Sequence, residues 1–224
     1  CGQGVAPAAA NVETMRTLGI RLIPGDGYLP ACVPSAISTY LTALMEFGTM
    51  SLADVAAPAL DLARNGIVVT SALADALAGM SARFREEWTS SVTVYLDDRG
   101  SPYRAGDTFR NPDWADTIDT LVRAESEANE GRLRGLERAH DCFYRGEVAD
   151  RIAAALDGAE SLDSSGSSHR PLLTSDDLAR HETRLERPVA FDYHGATVWK
   201  CGPWTQGPVF LQQLALLDGY DLAA

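Results

Sequence analysis

Lysine is almost missing from this chain of 224 residues: of 19 basic residues, all but Lys200 are arginine. That scarcity reads as genome composition. The arginines are scattered, and the formal net charge is −12 at pH 7. A nucleic-acid partner needs clustered Lys or Arg to neutralise phosphates, and an anionic membrane surface needs the same. Neither partner is expected. Also absent is the apolar run of about 20 residues that a membrane-spanning helix requires.

Cysteine is sparse as well. Cys1, Cys32, Cys142 and Cys201 are widely and irregularly spaced, with no CxxC pair. The four histidines, His140, His169, His181 and His194, share no spacing either. No metal or other cofactor is expected from such a set. Buried free thiols in a reducing compartment are expected ahead of disulfides, which points to the cytoplasm, with the periplasm as the alternative. Cys142 falls near a helix end and Cys201 at a strand end, so neither is placed as a nucleophile. Ser164-Ser165-Gly166 lacks the strand-to-helix context of a nucleophile elbow. No catalytic residue is assigned to this chain. Its start, Cys1-Gly2-Gln3-Gly4, has no initiator Met, basic n-region or apolar h-region. The expectation is a chain cut from, or part of, something longer.

What is present suits a folded domain: 46% of residues are hydrophobic and 22% charged, enough to bury a core. Helix signals dominate the first two thirds. Residues 11–18 can form a short helix stopped by Gly19, and 20–23 an extended run. Ile37, Tyr40, Leu41, Leu44 and Met45 share one face of a helix after Pro34, closed by Gly48. Ser51 and Asp54 resemble a capping box, and Pro58 is expected to break or restart the helix that follows. Another helix runs from Thr70 or Ser71 to about Glu87. Asn111-Pro112 opens one to about Asn129, and two more cover roughly 133–142 and 147–156.

Strands are fewer. Val92-Thr93-Val94-Tyr95-Leu96 is expected to be one. Ser161 to Ser168 reads as a polar loop. Thr174 caps a short helix to His181, in whose first turn Asp176 and Asp177 favour the positive end of the dipole. Residues 189–193 and 196–200 form a hairpin about His194-Gly195, before a last helix from Pro208. The fold class is therefore α+β, as one domain over 1–224: helix-rich over 1–160, then a hairpin and helix over 170–224.

Several segments occur in an order that resembles the γ-glutamyltranspeptidases. Ala6-Pro7-Ala8-Ala9-Ala10 is similar to their APA(A/S)A segment, and Val33-Pro34-Ser35 to their V-P-G turn. Phe47-Gly48-Thr49, Leu52, Ala57-Pro58-Ala59, Ala63 and Gly66 follow the next stretch. Arg110-Asn111-Pro112, Phe143-Tyr144-Arg145-Gly146, Leu173-Thr174 with Asp176-Asp177-Leu178, and Tyr193-His194-Gly195 match in turn, as do Leu211-Gln212-Gln213-Leu214 and Gly219-Tyr220-Asp221-Leu222. No single motif decides the matter; their order does.

The resemblance implies the helix-rich part of an αββα N-terminal-nucleophile hydrolase. In that family a precursor cleaves itself, and the new N-terminal threonine of the small subunit attacks an amide, with its own amino group as base. The opening strands would lie before Cys1 and the threonine after Ala224. The partner would be the small subunit and the substrate a small amide. Two departures stand out. Where the family carries the arginine that grips a substrate carboxylate, and then a glutamate, this chain has Gln3 and Gly4. Where it carries PPPSSGG, this chain has Cys201-Gly202-Pro203-Trp204-Thr205-Gln206-Gly207, as in a sub-branch of oxamate amidohydrolase-like and cephalosporin acylase-like members. Gln3, Trp204, Thr205 and Gln206 are thus the candidate substrate-binding residues. The plainer readings are a surface glutamine at 3 and a packing tryptophan at 204. A non-catalytic helical scaffold or binding protein is the alternative function.

Overall fold

Five of the ten α-helices among the described residues begin behind a polar side chain placed where the first amides lack partners. In a computed structural model of the chain, which describes residues 2–220, Asn11 accepts from Thr14 N ahead of α1 (Val12–Thr17). Ser51 and Asp54 form a full capping box at α3 (Leu52–Asn65). Thr70 caps α4 (Ser71–Glu86) and Asn111 caps α6 (Pro112–Glu127), with Pro112 at its first turn. Each such cap satisfies an amide that the helix itself leaves unpaired. Cys1 and the Asp221-Leu222 end of the last sequence match lie outside the described residues.

The remaining helices are α2 (Ala36–Phe47), α5 (Val92–Tyr95), α7 (Arg132–Tyr144), α8 (Glu147–Leu156), α9 (Ser175–Ala179) and α10 (Gly207–Leu217). The strands pair only as antiparallel twos: β1 (Ile67–Val68) with β2 (Thr108–Phe109), β3 (Ser161–Leu162) with β4 (Ser168–His169), and β5 (Val189–Tyr193) with β6 (Ala196–Lys200). The described residues are thus helix-rich with small sheets, and most helices precede residue 160. They divide into two compact units, one of Gln3–His181 and one from Glu182 onward.

In the larger unit the main core gathers Val33, Leu41, Leu121, Leu136, Tyr144, Val148 and Leu178. α6 and α7 approach closely because Gly135 has no side chain: a Cβ there would lie 2.9 Å from the Glu125 carbonyl oxygen. The Glu125 carboxylate accepts from Leu52 N at 2.7 Å and Ala53 N at 3.0 Å. It thereby adds a second cap to α3 and ties that helix to α6. α2 has no side-chain cap of its own. Its first-turn amide at Ser38 donates instead to the hydroxyl of Tyr144, at 3.0 Å, and that hydroxyl donates to Pro34 O at 2.7 Å. Burial pushes the Tyr144 phenol above its usual pKa, so it stays a neutral donor and acceptor.

In the smaller unit β5 and β6 pair in register from Val189↔Lys200 to Tyr193↔Ala196. The turn takes φ of 47° at His194 and 82° at Gly195, the two positive values that a tight two-residue hairpin requires. α10 packs on this hairpin.

Several expectations are corrected. Residues 92–96 are not a strand: Val92–Tyr95 is one turn of helix after a 3-10 turn at Thr89–Ser91. Helical spacing lets Val92 and Leu96 join the cluster of Leu77 and Phe84, while Tyr95 stacks between Phe84 and Phe109 at 5.6 and 6.2 Å. Packing outweighs the β-propensity of two valines and a threonine. Pro58 lies inside an unbroken α3, which forgoes one hydrogen bond but is held by its double cap and by α6. The run at 20–23 pairs with no strand, and its Leu22 is exposed. The polar run at 161–168 is a tight hairpin, because buried Asp163 accepts from Ser165 N at 2.9 Å and meets His169 Nδ1 at 2.7 Å. The helix after Thr174 stops at Ala179, short of His181. Cys32, Cys142 and Cys201 are free, yet Cys32 is exposed and the other two half-buried.

Replacing the Tyr144 hydroxyl should unsettle α2. We expect Tyr144→Phe to lower stability by about 1–3 kcal/mol, the cost of a buried amide left without its acceptor, read as a drop in the urea unfolding midpoint at unchanged slope.

Candidate functional site

The segment that carries Gln3 is a strap laid on the core. Gly4 lets it approach: an added Cβ would collide with the carbonyl oxygen of Val33. Next to it, Val33 N donates to Val5 O at 2.9 Å. Three residues on, Ala8 N donates to the Asp177 carboxylate at 2.8 Å, across 169 positions of sequence. The same carboxylate accepts from Thr174 N at 2.9 Å and Thr174 Oγ1 at 2.7 Å, completing the capping box of α9. Burial alone would raise the Asp177 carboxyl, but the bonds from Thr174 and Ala8 more than offset this and hold it below its usual pKa. Gln3 itself is exposed, and no described residue bonds its amide.

The second candidate cluster sits in the smaller unit, on the turn between β6 and α10. Trp204 is 38% exposed, and its indole N–H donates to Glu186 Oε2 at 2.6 Å. The Thr205 hydroxyl donates to Gly202 O at 3.0 Å and accepts from Gly207 N at 3.0 Å, so it serves the turn and the start of α10. Gly207 is required there, since a Cβ would strike the Cys201 carbonyl oxygen. The Gln206 side chain is exposed, makes no cap bond, and has no partner among the described residues. The structure thus brings Trp204, Thr205 and Gln206 together on one turn. The indole N–H and the hydroxyl are already committed; the indole face and the Gln206 amide are open.

No described side chain is set up as a nucleophile. Burial is the first cause of a raised thiol pKa at Cys142, followed by the nearby Glu147 carboxylate. Ser38 Oγ lies 3.1 Å from His140 Nε2, but Ser38 is fully buried and out of reach of a substrate. Among the described residues no three His, Cys, Asp or Glu side chains could hold a metal ion, and no helix is long and apolar enough to cross a membrane.

The Gamma-glutamyltranspeptidase family profile matches this sequence over residues 1–224. The chain belongs to the γ-glutamyltranspeptidase family. Among its relatives, the glutathione hydrolase proenzyme of Escherichia coli is 27% identical over 196 residues, covering 87% of this chain and 30% of that protein. The oxamate amidohydrolase proenzyme of Klebsiella pneumoniae is 29% identical over 226 residues, covering 98% and 38%. Among solved structures, LmbA2991HD superposes with a TM-score of 0.92 at 38% identity, covering 98% of this chain and 37% of that one. The cephalosporin acylase from Bacillus halodurans gives 0.79 at 27% identity, covering 100% and 38%. The fold is therefore one that this chain shares with these two structures, over 37% and 38% of their chains. The chain spans about a third of the length of the curated relatives it matches.

In this member of the γ-glutamyltranspeptidase family, four of the segments that sequence alone put in order are joined by hydrogen bonds. Val33-Pro34 meets the strap through Val5 and meets Phe143-Tyr144 through the phenol. The segment at Leu173–Leu178 meets the strap through Asp177. Sequence reasoning assigned Asp177 to the helix dipole and missed its bond to Ala8. The Thr174–Asp177 spacing fits the capping box that the structure shows, but nothing in a sequence signals a partner 169 residues away.

Asp177 sets a pH dependence. Its carboxyl is depressed in the folded state, so its stabilisation is present above the unfolded value of about 3.9 and is lost as pH falls through the folded value. We expect Asp177→Asn to lower stability near neutral pH by about 1–3 kcal/mol. The gap to the parent should shrink below about pH 4, as followed by thermal unfolding of both proteins from pH 3 to 7.

Proposed function

We propose that this chain is a large-subunit segment of an amide hydrolase or acyltransferase of the γ-glutamyltranspeptidase type. Its nucleophile is the N-terminal threonine of a small subunit released from the same precursor. The observation that carries this is the family match over the whole chain in the absence of any activated nucleophile among the described residues. Names among the relatives, glutathione hydrolase and oxamate amidohydrolase proenzymes, support amide chemistry and a precursor. The reading places the protein in the cytoplasm, with the periplasm as the alternative.

In this reading the candidate substrate-contacting groups are Gln3 on the strap of the larger unit and, within the smaller unit, the face of Trp204 and the amide of Gln206, with Thr205 holding that turn in shape. A neutral amide at position 3 cannot form the forked ion pair by which a guanidinium holds a carboxylate. The preferred substrate is therefore a small amide lacking the glutamyl α-carboxylate. Gly4 fits the same departure: the backbone approach to Val33 leaves no room for the glutamate that follows the arginine elsewhere in the family.

The full-length precursor should split into two subunits on standing and then turn over a small amide. A precursor that stays whole and inactive would support the non-catalytic scaffold instead. The isolated 224-residue chain should show no turnover of γ-glutamyl-p-nitroanilide, since it holds no nucleophile. In the processed enzyme, Gln3→Arg should raise kcat/KM for a γ-glutamyl amide, relative to an amide without the α-carboxylate, by about tenfold or more, on the order of 1.4 kcal/mol. An unchanged ratio would return Gln3 to an ordinary surface position.

A further inference from the structure

A cavity of about 610 Å³ opens between α2, α3 and α6 in the larger unit. Its walls are apolar: Tyr40 and Phe47 from α2, Val55 and Ala59 from α3, Trp114 and Ile118 from α6. Tyr40 is 69% exposed, Phe47 77%, Val55 44% and Trp114 42%. Soluble monomers rarely leave so many large apolar side chains on one contiguous surface without a partner. α2 makes the case sharper. It already packs Leu41 and Met45 into the main core, yet Tyr40 and Phe47 line the groove with Leu41 and Leu44. Glu46 is its one charged residue. A helix apolar on two sides is one built to be covered on two sides.

The charges around the groove say what covers it. The three helices carry eight acidic residues against two arginines, half of the chain's formal charge of −12. Arg64 is spent on Asp119 and Glu125 on the start of α3. Glu46, Asp113 and Asp116 have no ion-pair partner among the described residues. A second copy of this chain meeting itself here would bring like charges together. A helix apolar on one face and flanked by Lys or Arg fills the groove and neutralises its surroundings.

We propose that the groove is an intramolecular docking surface, occupied in the whole protein by such a basic-flanked, apolar-faced helix from the part of the same precursor that lies outside residues 1–224. This rests on the reading of the chain as a portion of a longer precursor, three times this length in its curated relatives. It does not depend on catalysis.

The test uses the full-length precursor with Phe47→p-benzoylphenylalanine, illuminated and digested for mass mapping. Cross-links from position 47 to a Lys- or Arg-flanked apolar segment outside 1–224 are expected. Cross-links that double the mass of the chain would make the face a dimer interface and overturn the proposal, and so would cross-links confined to the groove's own helices. A second measurement guards against a poorly folded variant. In the precursor, maleimide should label Val55→Cys at least about tenfold more slowly than Ala57→Cys, which lies on α3 outside the groove, because a docked helix must open first. Equal rates would show the groove open to solvent. A precursor that cross-links as expected but never processes itself would sink the catalytic reading and leave this one standing.

Discussion

The carboxylate of Asp177 joins the two ends of the larger unit. It gathers three donors, the Thr174 amide, the Thr174 hydroxyl and the Ala8 amide. The first two start α9, whose Leu178 is fully buried in the main core. The third holds the strap that begins at Gln3. One ionised group thus sets both where the chain returns to the core and where its candidate recognition residue lies. A carboxylate that accepts several amide and hydroxyl bonds is stabilised as the anion. That is why its pKa falls although burial pulls the other way.

Local chemistry was legible in the sequence wherever partners are near in the chain. Asn11, Ser51, Thr70, Asn111 and Thr174 each bond an amide three residues on, and such spacing can be read directly. His194-Gly195 likewise announced its hairpin. The failures came where distant contacts decide. Val92–Leu96 looks like a strand in isolation, but Phe84 and Phe109 are not visible from that window. Residues 161–168 look like a loose linker until Asp163 is seen to fold the run back on His169. Pro58 looks like a break until Glu125, from α6, is found holding the start of α3.

The candidate site divides along the same line. Gln3 and Trp204 to Gln206 could be named because they depart from the pattern that surrounds them. Their commitments could not be named. The Trp204 N–H belongs to Glu186, and the Thr205 hydroxyl to the turn and to α10. Of the four, Gln3 and Gln206 keep free amides, and Trp204 offers only its ring face. A hydrogen-bonding group already satisfied within the protein contributes little to binding unless the bond it holds is broken, at a cost similar to the one gained.

The family-like segments explain how a departure at position 3 is tolerated. Val33, Phe143, Tyr144 and Leu178 are buried, the Tyr144 hydroxyl is occupied with the Ser38 amide and the Pro34 carbonyl, and the Asp177 carboxylate with Ala8 and Thr174. These residues build the frame. Gln3 is exposed, so a change there costs the fold little. Gly4 is the exception. Its backbone lies against Val33, and a larger residue would lift the strap from the core. Positions 3 and 4 therefore differ in kind. The first can change without disturbing the frame, while the second can change only if the strap, and with it the Ala8–Asp177 bond, takes another path.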